Sequence, residues 1–205
     1  MVDAMTKERP VKDVTERLRT ATWPVHERLH LHPVLRPLTA RQPTGEGYLG
    51  AVRALYGFVA PMEQRLGNEA AGRAARTPLL LADIGVLDAA AAGAALPLAT
   101  DLPELPTSAA RIGARWVLDG SAHGGRAMLP HLQRTLAVGP EHGASYFASS
   151  GIDLKAERQA LRDLIERDIL TEEDRAAATE AAAATFSALE RWLDHLAAPS
   201  PAPAS

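Results

Sequence analysis

Between Thr107 and Leu136 the sequence reads as one long helix, yet it carries glycines at 113, 120, 124 and 125. Each interior glycine costs a helix roughly 0.5–1 kcal/mol against alanine, so such a series needs a compensating reason. At about 100° per residue, Gly113, Val117, Gly120 and Gly124 fall within a narrow arc on one face. That face has almost no side-chain relief. Two arrangements select it: a second helix packed very close, or something flat and wide lying against the backbone. Spacing alone leaves both open.

The rest of the chain is helical in pattern. Val11 to about Leu31 is a helix closed by Pro33 and Pro37, with Pro24 inside it as a point of kink or break. Thr44 to Leu66 is a second, with Pro61 as another kink candidate, and residues 70–95 hold one or two shorter Ala/Leu helices. Residues 96–106 form a proline-punctuated loop. The glycine-bearing helix runs to about Ala137 and is stopped by Gly139-Pro140, Tyr146-Phe147 lie in a connecting loop, and Asp153 to Asp168 is the next helix. Thr171-Glu-Glu-Asp174 is a capping-box start for the last, which runs to about Leu196. No hairpin signal or strand-like alternation appears, so the fold class is all-α. Residues 1–10 and the tail 198–205 are polar or proline-rich and are expected to be disordered, which leaves one domain over 11–197.

In Leu18-Arg-Thr-Ala-Thr-Trp-Pro-Val-His26-Glu-Arg-Leu29, the residues Leu18, Thr22, Val25 and Leu29 form one apolar stripe with His26 at its edge. A histidine in that position is either a hydrogen-bonded packing residue or, as a neutral imidazole, a donor for a haem iron. The chain contains no cysteine, which excludes disulfides, a thiolate haem ligand and cysteine-held clusters. A net charge of −3 gives no electrostatic case for nucleic acid or an anionic membrane. No stretch approaches ~20 consecutive apolar residues, and the N-terminus has no signal-like apolar core, so the expected location is the cytoplasm.

The pattern Leu18-Arg-x-Ala-Thr-x-x-x-His26, followed far downstream by Asp119-Gly-Ser-x-x-Gly-Gly125, resembles the haem oxygenases, most nearly their bacterial, biliverdin-producing branch. Tyr48 to Leu66 is similar to that family's second long helix, and Ala176 to Trp192, with Phe186 in its middle, to its last. The resemblance implies a single-domain helical fold with a haem slot between the His26 helix and a kinked glycine-rich distal helix. It implies cleavage of haem b at a meso carbon to biliverdin, carbon monoxide and ferrous iron, with dioxygen and an external electron donor. His26 becomes the iron ligand; Gly120 and Gly124 contact the haem face and let the helix bend. Ser121 and Asp119 become candidates for organising distal waters, since the reaction wants a weak, water-mediated proton donor. Arg19, Arg158 and Arg162 fall on positions that meet the propionates, for which a guanidinium fork is suited, and Phe186 forms an apolar wall. The partners implied are a ferredoxin or flavoprotein reductase and, downstream, a bilin-binding phytochrome.

The chain departs from the family pattern at several positions. His30 stands where relatives place a carboxylate to hold the ligand imidazole, and supports it less strongly. Trp23-Pro24 before the ligand, Trp116 for a tyrosine and His123 between the glycines, expected to point outward, are further differences. They motivate an alternative reading, a haem-binding or sensory protein of the same fold without turnover. A di-iron carboxylate site, which wants paired Glu-x-x-His motifs, finds only Glu27/His30 and is disfavoured.

Overall fold

Helix boundaries follow the capping residues closely. In the computed structural model, which describes residues 3–67, 71–89 and 95–198 (3–10 as backbone alone), seven α-helices and one 3-10 turn form, and no strand. They are α1 (Asp3–Leu31), α2 (Gly45–Leu66), α3 (Thr77–Leu87), α4 (Ser108–Leu136), α5 (Ser145–Ala148), α6 (Leu154–Asp168) and α7 (Glu172–Ala197). Thr44, Thr107 and Asp153 each accept a backbone N–H at the start of their helix, and Thr171 with Asp174 closes the full capping box expected there. The fold class is the all-α one expected.

Two elements differ from the sequence reading. Helix α1 begins at Asp3 rather than near Val11 and runs unbroken through Pro24. A proline removes a single i→i−4 bond, and the apolar stripe that docks α1 continues on both sides of it. Tyr146 and Phe147, expected in a connecting loop, lie in the four-residue helix α5, while α4 ends at Leu136 with Ala137 as its left-handed C-cap at φ 55°, as read from the sequence. Residues 1–2 and 199–205 lie outside the described residues.

The core is built where α4 lies along α7, with α1 also packed on α7. Small side chains make this possible. Ala109, Ala114, Ala178, Ala182 and Ala188 are buried, and Gly113 sits so close to α7 that an added Cβ would lie 2.0 Å from the Ala178 carbonyl oxygen. The expected stripe of α1 is buried too, Leu18 and Thr22 completely and Leu29 nearly so, against α6 and α7. At its C-terminal end His32 meets Asp194 of α7 at 3.2 Å.

An ionic knot joins α2, α4, α6 and the segment before α3. Asp119 accepts from Arg73 Nε at 2.7 Å on one oxygen and from Arg115 Nε at 3.1 Å on the other. Arg73 reaches on to Glu63 at the end of α2, and Arg76 makes a two-pronged pair with Glu157 of α6. All six side chains are largely withdrawn from water. Truncating one member of such a buried set strands its partners, so Asp119→Ala is expected to lower unfolding free energy by about 3–5 kcal/mol in a denaturant titration.

Burial opposes ionisation of Glu63 most, but hydrogen bonds from Arg73, the Arg76 N–H and Thr77 outweigh it, and its pKa falls below the ordinary 4.5. A depressed carboxylate contributes stability that is complete above its unfolded value and is lost as pH falls through the folded one. The stability gap between the native chain and Glu63→Gln should therefore be full above about pH 4.5 and close steadily below it. A gap that stays constant from pH 6 to about pH 3 would contradict this assignment.

Candidate functional site

A cavity of about 300 Å³ opens between α1, α2, α4 and α7. Its lining is mostly apolar: Leu29, Leu55, Phe58, Val59, Met128, Phe147 and Leu189 among others. His26 and His30 enter from α1, and Gly120, Ser121 and Gly124 lie on the α4 wall. A Cβ added at Gly120 or Gly124 would meet nothing within 4 Å. The glycine arc therefore does two different jobs. Gly113 is bare because α7 touches it, whereas Gly120 and Gly124 are bare beside open space. Close helix packing thus accounts for Gly113, while Gly120 and Gly124, two and three turns further on, leave room beside the backbone.

His26 is partly buried and surrounded by rings. Trp23 stacks on it with centroids 5.5 Å apart, His30 meets it edge-on at 4.6 Å, and Phe186 meets it edge-on at 6.0 Å. Its Nδ1 is buried and has no hydrogen-bond partner. Burial first, and the neighbouring His30 second, hold its pKa below the ordinary 6.5 against the opposing pull of Glu27. At neutral pH it is an uncharged imidazole with a lone pair to give, the form that ligates metals. His30, expected to stand in for a supporting carboxylate, accepts no hydrogen bond from the Nδ1 atom. The ring is positioned by aromatic packing instead.

Ser121 lies in the cavity wall, donates to the Leu118 carbonyl at 2.6 Å and faces the Tyr146 hydroxyl at 3.2 Å. Asp119 is placed differently from the water-organising role considered for it. It does not line this cavity, and both its oxygens are held by arginines. Phe186 lies in the cavity lining.

A second, more polar hollow adjoins the first, sharing Arg19, Trp116 and Gly120 with it. Arg158 and Arg162 of α6 line it together with Lys12. The three expected cationic residues are thus gathered at one mouth. Arg158 donates to His123 Nε2, so His123 points away from the glycine wall and supports a cation. Arg19 and Arg162 make no ion pair among the described residues, so both guanidinium groups remain available to an anionic ligand.

Sequence reasoning missed Tyr146 and the arginine knot. Tyr146 lies just outside a helix pattern, and only the turn of α5, fixed by Asp83 accepting from the Ser145 and Tyr146 N–H groups at 2.7 and 2.9 Å, brings it inward. Arg73 and Arg76 carry no periodic signal, and their partners are distant in the chain.

No protein-family profile and no curated protein sequence matches this chain. Among solved structures, the haem oxygenase from Leptospira interrogans is similar in fold, with a TM-score of 0.67 at 17% sequence identity. The match covers 89% of this chain and 98% of that one. The chain accordingly has the all-helical fold of the haem oxygenases.

Proposed function

We propose that this chain binds haem and degrades it oxidatively, opening the ring at a meso carbon to give biliverdin, carbon monoxide and ferrous iron. The observation that carries the reading is the pairing of a partly buried imidazole at His26, whose Nδ1 has no hydrogen-bond partner, with bare backbone at Gly120 and Gly124 in one apolar cavity. The donor set fits the group: a neutral nitrogen ligand, a wall without side chains where a flat ring needs room, and cations at the mouth for two carboxylates.

Bound haem supplies the iron at which dioxygen reacts and the carbon that is oxidised. The chain's residues hold and orient it. His26 would hold the iron. Gly120 and Gly124 let the ring approach the α4 backbone. Arg19 and Arg162, with Arg158 braced by His123, pair with the propionates. The leucines, Phe58 and Phe186 exclude bulk water. Ser121 is the hydroxyl nearest the glycines and the candidate for holding distal water, while Asp119 anchors the helix that carries it. Electrons come from a ferredoxin or flavoprotein reductase, and the bilin product suits a phytochrome-type acceptor. A cytoplasmic setting agrees with this, and no helix among the described residues is long and apolar enough to cross a membrane.

The missing partner on His26 Nδ1 favours one second reading, a haem-binding or sensory protein of the same fold without turnover. Hemin titration followed by reductant and air separates them. The enzyme reading expects a Soret band of histidine-ligated haem that gives way to red-absorbing bilin. Haem that binds and survives reduction leaves only the second reading; failure to bind removes both.

A further inference from the structure

Tyr146 is a deeply buried polar residue of the cavity wall, and nothing above gives it a task. It is 4% exposed, its ring is set edge-on against Phe147 at 5.3 Å, and its backbone is pinned by Asp83. Its hydroxyl meets one side chain, Ser121, at 3.2 Å. The direction of that bond follows from counting hydrogens. Ser121 has one, and it goes to the Leu118 carbonyl at 2.6 Å, which can only accept. Ser121 must then accept from Tyr146. The pair is a directed relay, Tyr146 to Ser121 to the Leu118 carbonyl, with every proton committed.

What remains on the Tyr146 oxygen is a lone pair, in a cavity whose other walls are mostly hydrocarbon. A buried acceptor left open costs free energy unless something donates to it. Burial also holds the phenol well above its ordinary pKa of 10.0, so the hydroxyl stays protonated and the relay keeps its direction. A water molecule that gives one hydrogen to Tyr146 keeps its second for a ligand in the cavity.

Resting on the haem-binding reading above, we propose that Tyr146 is a positioning residue of this site: its hydroxyl, locked by Ser121, anchors a water on the α4 side of the cavity and turns one O–H bond of that water toward a diatomic ligand. The donor so made is weak and indirect, because neither Tyr146 nor Ser121 has a proton of its own to offer. A mere packing role for Tyr146 would require the ring and not the hydroxyl.

The test uses the full chain loaded with hemin, reduced and exposed to carbon monoxide, with the infrared stretch of the bound gas as the readout. A hydrogen bond to the ligand lowers that stretch, and exchange into D2O moves it. The native chain should give a band sensitive to D2O. Tyr146→Phe, which keeps the ring, should bind hemin as tightly, while its band rises and loses the D2O sensitivity. Ser121→Ala should also move the band, because the Tyr146 proton is then free to turn into the cavity. It carries the test by itself if Tyr146→Phe does not fold. An unmoved band in Tyr146→Phe, or in Ser121→Ala when that variant stands alone, overturns this inference and leaves haem binding intact. If the native chain takes up no hemin, the functional reading falls first and this inference with it.

Discussion

Replacing His26 by alanine is expected to abolish the Soret band that the native chain develops with hemin. Loss of a partner that merely supports a metal ligand costs roughly 10–100-fold in affinity, and loss of the ligand itself should exceed that. The variant should fold, because Nδ1 makes no hydrogen bond to the rest of the chain and the ring is held by contacts with Trp23, His30 and Phe186. Free imidazole added to His26→Ala should fill the vacated space and restore the spectrum. An unchanged Soret band would mean that iron is held elsewhere, with His30 the first residue to examine.

The second large effect separates the two uses of glycine in α4. Gly113→Ala drives a methyl to 2.0 Å from the Ala178 carbonyl, a contact that only a shift of α7 can relieve. Overpacking of this kind costs about 1–3 kcal/mol or more, and thermal unfolding should show it directly. Gly120→Ala and Gly124→Ala behave oppositely. Their added carbons enter open space, and each should gain up to about 1 kcal/mol of helix stability. Enlarging either residue to leucine should leave the fold in place and eliminate hemin binding, since the side chain then occupies the slot. Greater stability combined with lost ligand is a signature that a packing glycine cannot produce. If Gly120→Leu and Gly124→Leu both bind hemin normally, the slot is not where the ligand lies.

Much of the fold was legible because its signals are local. Thr107, Asp153 and Thr171 announce helix starts through their own side chains, and the stripe Leu18–Thr22–Val25–Leu29 points inward as its periodicity requires. Gly120, Gly124 and His26 were legible as a facing set only because the family resemblance ordered them. The glycine spacing by itself could not tell a helix contact from a ligand wall, and at Gly113 the former is what occurs. The role of Asp119 was not readable, because Arg73 lies in an irregular segment far away in sequence and yet binds it at 2.7 Å. The same holds for Tyr146, whose inward aim depends on Asp83 capping a helix of only four residues.

The placement of contacts along α4 has a mechanical consequence. Its first half is clamped by α7 at Gly113 and by Arg73 at Asp119, and beyond the bare turn Gly125 rests on Phe147 while Leu132 is wholly buried. The helix is therefore a beam gripped on either side of the turn that faces the slot, and on its slot side that turn is bare at Gly120 and Gly124. Any strain imposed by a guest must be absorbed there, over little more than a single turn.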